Sequence, residues 1–452
     1  MNPAVVRRVI LPVWQWVRRQ HGLEVLAELE KTQWLSAGEL DDWRWQRIGR
    51  LLEHAYANVP YYREIMREVG VDPAAVSRAR SLACLPLLDR STINENKERL
   101  RSVNLSGDRF MSNGTGGSTG EPLHFYDDRD GIAWCDAAAW RSYRWANGDV
   151  GDRCAWLWGS NFDLSSYQGV RGWLKSRAFN VRMLSAWDLG EGTAELFWNE
   201  LTVFRPRLVV AYAGALYQWA RLLGDHRKPL PGLAAIIVSA ETLHDGWRKV
   251  IEACFKVPVY NRYGGRDIKF VAQECPARKG LHINAENAVV EIVRDGRVVP
   301  SGELGEIVVT RLDNFAMPFI RYRSGDLGVM GDRACDCGRT LPLLERVEGR
   351  IQDAIVTAHG KVIAGPFFAH LMKDCPDVKE FQIHQWTLRQ LSILIAPAHD
   401  EPFTSGDRIE RIVRHHLGPD MQIRFEVRDA IPRAPNGKRR VAVSHLHDGD
   451  HG

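Results

Sequence analysis

The residues with the clearest chemical potential form a glycine-rich segment, residues 112–122 (SNGTGGSTGEP). Its glycines permit a close backbone approach, and its hydroxyl and N–H groups can surround phosphate oxygens. The segment is not a Walker A loop, because Glu121 follows the last glycine where that motif needs Lys and then Ser or Thr. It therefore predicts a phosphate loop of another kind, with a plain flexible turn as the alternative.

Three further groups of polar residues follow at wide intervals, at Tyr322–Leu327, Val347–Asp353 and Pro432–Lys438. A carboxylate such as Asp326 can accept hydrogen bonds from two ribose hydroxyls. Arg350 and Lys438 can donate to ribose or phosphate oxygens. Each group alone is typical of a solvated turn, but together and in this order they indicate a nucleotide site.

With these motifs the chain resembles the adenylate-forming enzymes, and within them the phenylacetate–coenzyme A ligases and their CapK-like relatives. The resemblance extends from about residue 51 to Lys438 and so covers most of the chain. It implies an enzyme that uses ATP and Mg²⁺ to join a carboxylic acid to AMP with release of pyrophosphate. The acyl group would then pass to a thiol, and by resemblance that thiol is coenzyme A.

The resemblance also implies which residues contact the nucleotide. They fall in five parts of the chain: Ser118, Thr119, Gly120, Ala240, Glu241, Thr242, Tyr263, Gly264, Asp326 and Arg350. The first three belong to the phosphate loop, and the next three lie along the adenine. Tyr263 would stack near the adenine, Asp326 would bind the ribose, and Arg350 would follow at a domain junction.

Two residues are implied to act in catalysis. Lys438 matches a lysine of a mobile C-terminal domain that bridges the carboxylate and the α-phosphate. Asp267 stands in place of a glutamate that helps to hold Mg²⁺, with a shorter side chain. Three positions depart from the family pattern, because a lysine, a threonine and a hinge aspartate are replaced by Glu121, Arg266 and Gln352. These departures keep open a weakened nucleotide-binding scaffold, against which the intact Lys438 and Asp326 argue.

Three cysteines and one histidine form a candidate metal site, consisting of Cys275, His282, Cys335 and Cys337. Three thiolates and an imidazole make a closed tetrahedral zinc set of the structural kind. Their spacing is not that of a familiar zinc finger, but some relatives carry such residues at these places. We expect a structural Zn²⁺ that pins the region 275–337 without taking part in catalysis. The alternative is four unrelated reduced residues.

Tryptophan is unusually frequent, with 16 residues, of which seven are concentrated between Trp134 and Trp187. Core packing explains most of them. The sharper interpretation is that some line a pocket for a flat or bulky acid. By resemblance that pocket would also contain Tyr212, Ala213 and Gly214. The expected substrate is a small carboxylic acid, with aromatic acids among the candidates.

The order of hydrophobic patterns predicts the elements that hold these residues. The first hundred residues are mainly helical, and alternating strands and helices then predict a parallel sheet. Near 285–327 the Asp295-Gly296 pair indicates an antiparallel hairpin. We therefore predict an α/β fold with mixed sheets in a large N-terminal body (residues 1–350) and a small, mobile α+β C-terminal domain (residues 351–452).

The N-terminal segment is apolar from Val9 to Val17 except for Gln15, and arginines flank it on both sides. It is too short to span a bilayer and lacks a signal-peptide cleavage pattern. A helix packed on the domain is the favoured interpretation, and a basic amphipathic helix on a membrane surface is the alternative.

Composition excludes several classes of function. The net charge is +4 and no basic strip is evident, so a nucleic acid is not an expected partner. Eight cysteines in 452 residues indicate reduced thiols in the cytoplasm rather than a disulfide framework. We expect a monomer or homodimer. Two alternatives to the coenzyme A ligase remain: acyl transfer to an amine or hydroxyl during polysaccharide or natural-product tailoring, and the scaffold described above.

Overall fold

A computed structural model describes most of the chain. The described residues are 1–105, 110–115, 123–158, 167–186, 188–225, 228–350, 355–358, 362–363, 368, 371–372, 375–398, 402–432 and 441–446. They form an α/β structure that divides into two compact units. The first consists of Met1–Ser324 and Val329–Arg346, and the second of Gly325–Gly328 and Val347–Gly452.

Helices make up the first hundred residues. They are α1 (Pro3–Val5), a π-helical stretch (Val6–Ile10), α2 (Leu11–Arg18), α3 (Gly22–Thr32), α4 (Ala37–Asn58), α5 (Pro60–Glu68), α6 (Pro73–Ala79), α7 (Arg90–Glu95) and α8 (Lys97–Leu100). A capping box between Ser36 and Glu39 begins α4, and Pro60 begins α5, where its missing N–H costs nothing. None of the described helices combines the length and the apolar composition that a bilayer span requires.

A parallel half-sheet follows. A hairpin of β1 (Phe110–Gly114) and β2 (His124–Asp128) precedes it. The half-sheet has the order β7-β6-β5-β3-β4. Its strands are β3 (Cys154–Trp158), β4 (Val181–Ser185), β5 (Leu208–Tyr212), β6 (Ala235–Ser239) and β7 (Val259–Gly265). The helices of this region are α9 (Arg129–Trp145), α10 (Gly169–Ala178), α11 (Glu191–Phe204), α12 (Ala213–Leu223) and α13 (Asp245–Phe255). Apolar side chains from both layers form one core, which includes the fully buried Trp219 and Phe255.

An antiparallel half-sheet extends the same sheet beyond β7. Its strands are β8 (Lys269–Glu274), β9 (Leu281–Ile283), β10 (Ala288–Arg294), β11 (Arg297–Val298), β12 (Leu304–Arg311), β13 (Tyr322–Met330) and β14 (Leu343–Arg350). The predicted antiparallel pairing is confirmed, since β10 pairs with both β11 and β12. The Asp295-Gly296 turn joins β10 to the short β11, and both of its residues have positive φ, as a type I′ turn requires.

The second unit contains a small sheet and a helix. Its strands are β15 (Ile355–Val356), β16 (Val362–Ile363), β17 (Val378–Thr387), β18 (Gln390–Pro397), β19 (Gln422–Val427) and β20 (Ala442–Ser444), and its helix is α14 (Gly406–Leu417). Four of the strands form a sheet in the order β19-β18-β17-β20. Ile383 and Ile393 from the sheet pack with Ile409 and Val413 of α14. The predicted fold class, a mixed-sheet body with a small α+β unit, is confirmed.

Candidate functional site

Three segments with predicted roles lie at the carboxyl ends of neighbouring parallel strands. Tyr212 ends β5 and is in register with Ser239, which ends β6, and β7 runs beside β6. In open α/β sheets ligands bind outside this edge. Ala240, directly after β6, has φ +69°, a conformation that few residues other than glycine adopt. Such strain is concentrated at functional sites.

A direct hydrogen bond links the predicted acyl-pocket and adenine segments. The backbone N–H of Gly214 donates to Oε2 of Glu241 over 2.6 Å. A Cβ at Gly214 would lie 2.7 Å from that oxygen, so only glycine allows this contact without a shift. The carboxylate lies at the N-terminal end of α12, where exposed N–H groups favour a negative charge. The two segments thus form one connected edge.

Aromatic rings lie beside this edge. Trp158, at the end of β3, contacts Tyr212 with ring centroids 4.4 Å apart, and Trp156 follows at 5.3 Å from Trp158. The other concentrated tryptophans serve other places. Trp134 is packed in the core with α3, Trp145 lies against His282, and Trp173 is exposed. Trp187 lies outside the described residues.

Tyr263 is buried and its hydroxyl donates to Oγ of Ser324 over 3.2 Å. Ser324 in turn donates to the carbonyl of Ile307 over 2.7 Å. Two successive hydrogen bonds therefore fix the position of the tyrosine hydroxyl. At the next residue, Gly264, a Cβ would lie 2.2 Å from the carbonyl oxygen of Lys269. The structure therefore requires glycine at the position that follows Tyr263.

The Asp267 carboxylate is held by protein groups. The hydroxyl of Tyr322 donates to Oδ2 over 2.9 Å, the N–H of Ile268 donates to Oδ1 over 3.1 Å, and Arg90 lies 3.6 Å from Oδ2. Burial together with the neighbouring Asp267 charge raises the pKa of Tyr322, which keeps its proton on the hydroxyl. Both carboxylate oxygens thus have contacts within the protein, and the role of Asp267 in holding Mg²⁺ remains a prediction.

The second unit contains the predicted ribose ligand. Oδ1 of Asp326 forms an ion pair with Nε of Arg350 over 3.0 Å. The aspartate side chain is mostly buried, whereas that of the arginine is half exposed. Ribose hydroxyls would thus meet a carboxylate whose orientation is already fixed by Arg350.

Several predicted positions lie outside the described residues: Ser118, Thr119, Gly120, Glu121, Gln352 and Lys438. The ends of the phosphate-loop segment are described. The N–H of Thr115 donates to the carbonyl of Leu123 over 2.9 Å, and the N–H of Leu123 donates to Oγ1 of Thr115 over 3.1 Å. The β1–β2 hairpin therefore closes the segment at its base.

A cluster of buried charges, which no sequence motif predicted, anchors this hairpin. Asp127 of β2 accepts from Lys269 over 2.5 Å, from Arg311 over 2.8 Å and from Asn113 over 2.8 Å. Arg311 also binds Asp313 over 3.0 Å. Burial raises the pKa of Asp127, but Arg311 and Lys269 outweigh it, so the net shift is downward and the carboxylate stays ionised.

The four candidate metal ligands come together. The β8–β9 hairpin brings Cys275 near His282, and the loop between β13 and β14 supplies Cys335 and Cys337. The sulfurs of Cys275 and Cys335 are 3.5 Å apart, Nε2 of His282 is 3.2 Å from the sulfur of Cys337, and all four ligand atoms lie within 4.8 Å of one another. A tetrahedral zinc with Zn–S bonds of about 2.3 Å separates its sulfurs by about 3.8 Å. The donor set fits zinc.

The surroundings prepare the histidine for a metal. Its Nδ1–H donates to the carbonyl of Leu341 over 3.3 Å, which leaves Nε2 free to ligate. Burial lowers the pKa of His282 to about 4, so the imidazole is neutral. Burial has the opposite effect on a thiol and raises the pKa of Cys275 to about 12. A cation in the cluster would stabilise the thiolate form of Cys275.

Comparisons with known proteins agree with this architecture. Residues 355–445 match the CapK C-terminal domain. The chain is 25% identical over 437 residues to phenylacetate-coenzyme A ligase of Thermus thermophilus, covering 87% of this chain and 94% of that protein. It is 22% identical over 418 residues to Protein CapK of Staphylococcus aureus, covering 89% and 88%.

A solved structure has the same fold. It is 2-hydroxyisobutyryl-CoA ligase in the postadenylation state, with a TM-score of 0.73 and 18% identity over 93% of this chain and 92% of that one. Over most of its length the chain is thus similar to phenylacetate-coenzyme A ligase and to Protein CapK, its C-terminal part matches the CapK C-terminal domain, and its fold is that of 2-hydroxyisobutyryl-CoA ligase.

Proposed function

We propose that the protein is an ATP-dependent ligase that activates a carboxylic acid as an acyl-AMP, releases pyrophosphate and transfers the acyl group to coenzyme A. The observation that supports this most is the convergence of the acyl-pocket, adenine and Tyr263 segments at the carboxyl ends of β5, β6 and β7. One edge of the sheet thereby offers an apolar aromatic surface next to a polar, strained turn. An acyl-adenylate has these two halves.

In the first step an oxygen of the acid attacks the α-phosphorus of ATP and pyrophosphate leaves. Two anions must approach each other, so the step needs positioning and nearby positive charge more than a covalent nucleophile. We assign the positive charge on the α-phosphate to Lys438, and we assign the ribose hydroxyls to Asp326. Mg²⁺ would arrive with the ATP phosphates. The assignment of Asp267 as its ligand remains a prediction that the contacts with Tyr322 and Arg90 do not favour.

In the second step the sulfur of coenzyme A attacks the acyl carbonyl and AMP leaves. The family resemblance assigns this step to a movement of the C-terminal domain. We propose that the C-terminal domain (351–452), which contains Lys438, makes this movement relative to the body (1–350). Domain closure would then set the order of the two half-reactions.

The acid is proposed to be small and to carry a flat or apolar group. Trp158 and Tyr212 form a continuous aromatic surface at the edge where Ala213 begins α12. Aromatic surfaces favour substrates that bury a ring or a branched alkyl group. We also propose Zn²⁺ in the Cys275 cluster as a structural ion, and the cytoplasm as the compartment, because it supplies ATP and coenzyme A.

A second candidate differs only in the acceptor. The matched C-terminal domain is that of CapK, and one full-length relative is named CapK rather than coenzyme A ligase. In this version the acyl-AMP forms in the same way, but an amine or a hydroxyl attacks the carbonyl instead of a thiol.

Product analysis with ATP, Mg²⁺ and a panel of acids separates these candidates. Coenzyme A as acceptor should give a thioester together with AMP, identified by mass spectrometry. An ester or amide formed only with hydroxyl or amine acceptors would replace the coenzyme A assignment. No acyl product with any acceptor, despite tight ATP binding, would favour the scaffold.

Two variants make the assay specific for the site. Asp326→Asn should lower kcat/KM by about 10²–10³ because it removes a charged group that touches the nucleotide. Asp332→Asn is the matched control, since Asp332 is an exposed carboxylate shortly after the same strand. Equal loss in both variants, or no loss in either, would contradict the ribose assignment.

A further inference from the structure

The N-terminal helical segment is fixed to the first unit by one face. Val6 and Leu11 are buried against the body. Arg7 donates to the carbonyl of Val150 over 2.9 Å and forms an ion pair with Asp149 at the same distance. Trp14 packs edge-on against Phe179 with ring centroids 5.2 Å apart. The segment is thus held in a defined orientation.

The opposite face of the segment is apolar and exposed. Val9 and Val13 point to solvent, Trp16 is 81% exposed and Val17 is 63% exposed. Single exposed apolar residues are ordinary on a protein surface, but four within nine residues form a stripe. The favoured prediction from sequence, a helix packed on the domain, therefore describes only one side of it.

A second helix with exposed apolar side chains ends beside the N-terminal segment. Helix α10 leads directly into Phe179 and Asn180, the residues that contact Trp14 and the Met1 ammonium group. On α10 Val170 is 75% exposed, and Trp173 and Leu174 are also exposed. Two helices connected through the Trp14–Phe179 contact thus each expose apolar side chains that include a tryptophan.

Within these two segments the charged side chains have one sign. Residues 1–23 contain four arginines and no carboxylate side chain, and residues 167–180 contain two arginines and one lysine and again no carboxylate side chain. Arg7 is used in ion pairs, whereas Arg8, Arg18, Arg19, Arg171 and Arg177 are exposed. The first carboxylate of the chain, Glu24, belongs to the next helix. Exposed apolar side chains framed by arginines match the chemistry of an anionic bilayer surface.

We propose that these two helices, residues 3–18 and α10, form a docking surface for an anionic lipid bilayer. The apolar side chains enter the interfacial layer, the tryptophans lie at the level of the headgroups, and the arginines bind lipid phosphates. A second copy of the chain is a poorer occupant, because a symmetric contact through this face would bring the exposed arginines of both copies together. The proposal concerns where the protein works, and it does not depend on the proposed reaction.

Vesicle sedimentation with the full chain tests this surface. Vesicles of phosphatidylcholine with about 30 mol% phosphatidylglycerol should bind the protein, and vesicles of phosphatidylcholine alone should bind it much more weakly. Binding should fall as salt is raised. Arg18→Glu/Arg19→Glu should weaken binding by about 25-fold or more, at about fivefold for each cationic side chain lost.

Matched variants distinguish binding through this surface from nonspecific hydrophobic binding to vesicles. Trp16→Ser/Val17→Ser should abolish sedimentation with the anionic vesicles. Leu196→Ser/Val203→Ser should leave it unchanged, because these residues of α11 are 64% and 82% exposed but carry no such arginine frame. All six positions are exposed, and an unchanged melting temperature checks that each variant is folded.

Three results would overturn the proposal. The first is equal binding to both vesicle types, and the second is no binding to either. The third is a concentration-dependent dimer in light scattering that Trp16→Ser/Val17→Ser converts to a monomer, which would assign the surface to a second copy.

Discussion

Two buried polar clusters of the first unit differ in what balances their charges. Around Asp127, two cations and two carboxylates pair with one another, so their charges balance without any ligand. Around Cys275, three cysteine sulfurs and a neutral imidazole share a space that suits a divalent cation, and burial raises the pKa of the Cys275 thiol. One cluster is closed by the chain itself, and the other would be closed by a metal.

This difference teaches which parts of the body depend on conditions. The Asp127 cluster ties the β1–β2 hairpin to β8 and β12 through side chains alone. The Cys275 cluster joins the end of β8 to the loop before β14, and it would do so only when the ligands are deprotonated and metal is present. The β1–β2 hairpin should therefore stay attached to β8 and β12 when metal is removed. The link between the end of β8 and the loop before β14 should loosen.

The largest expected effect comes from breaking the self-contained cluster. Arg311→Met leaves Asp127 and Asp313 buried without their shared cation, which should cost about 3–5 kcal/mol of unfolding free energy. Urea denaturation measures the change. Arg294→Met is the control, because its ion pair with Glu303 is exposed and should be worth less than about 1 kcal/mol. Similar losses in both variants would mean that burial does not set the strength of the Asp127 cluster.

A smaller effect should follow from opening the other cluster. Protein prepared without chelator should contain about one zinc per chain, and Cys335→Ser should lose most of it. Where zinc stands at about a hundred times its dissociation constant, its loss removes about 2.7 kcal/mol of stability. Thermal unfolding with and without a chelator measures this. Cys84→Ser is the control, because Cys84 is exposed and far from the cluster in sequence.

Zinc content and the stability of Cys335→Ser together decide that prediction. Less than about half an equivalent of zinc, with Cys335→Ser as stable as the parent, would favour four unrelated reduced residues.

Lowering the pH should disrupt the two clusters at different pH values. This prediction involves the smallest change in stability near neutral pH. The lowered pKa of Asp127 means that its contribution is fully present above the usual aspartate pKa of about 3.9 and is lost as the pH falls through the lower folded value. Zinc should leave at a higher pH, since protons compete for thiolates and imidazole first. A chromophoric zinc indicator and circular dichroism, followed together, measure the two events. Release of zinc only after the fold is lost would contradict the order.

The sequence predicted those parts of the molecule that short motifs encode. The fold class, the antiparallel region and the Asp295-Gly296 turn follow from local patterns of hydrophobicity and turn chemistry. The four metal-ligand candidates could be selected because cysteine and histidine have few other roles in such a set. The structure brings their ligand atoms together, although the metal itself remains a prediction.

The contacts of charged residues could not be predicted in the same way. Lys269, Arg311 and Arg90 resemble the solvated charges found throughout the chain, and their partners are up to 184 residues away. Only the pairing of strands from distant segments shows that Arg311 reaches Asp127 and that Arg90 approaches Asp267. The contacts of Asp267 matter most here, because they weigh against the metal-binding role implied by resemblance.

The central claim is that this chain forms an acyl-AMP, and exchange of labelled pyrophosphate into ATP tests it most directly because no acceptor is needed. With Mg²⁺ and a panel of small carboxylic acids that includes aromatic ones, we predict exchange that depends on at least one acid and is absent without acid. Lys438→Ala should lower the rate by about 10²–10³. Exchange with no acid in the panel by a folded protein that binds ATP, or exchange unaffected by Lys438→Ala, would contradict the account.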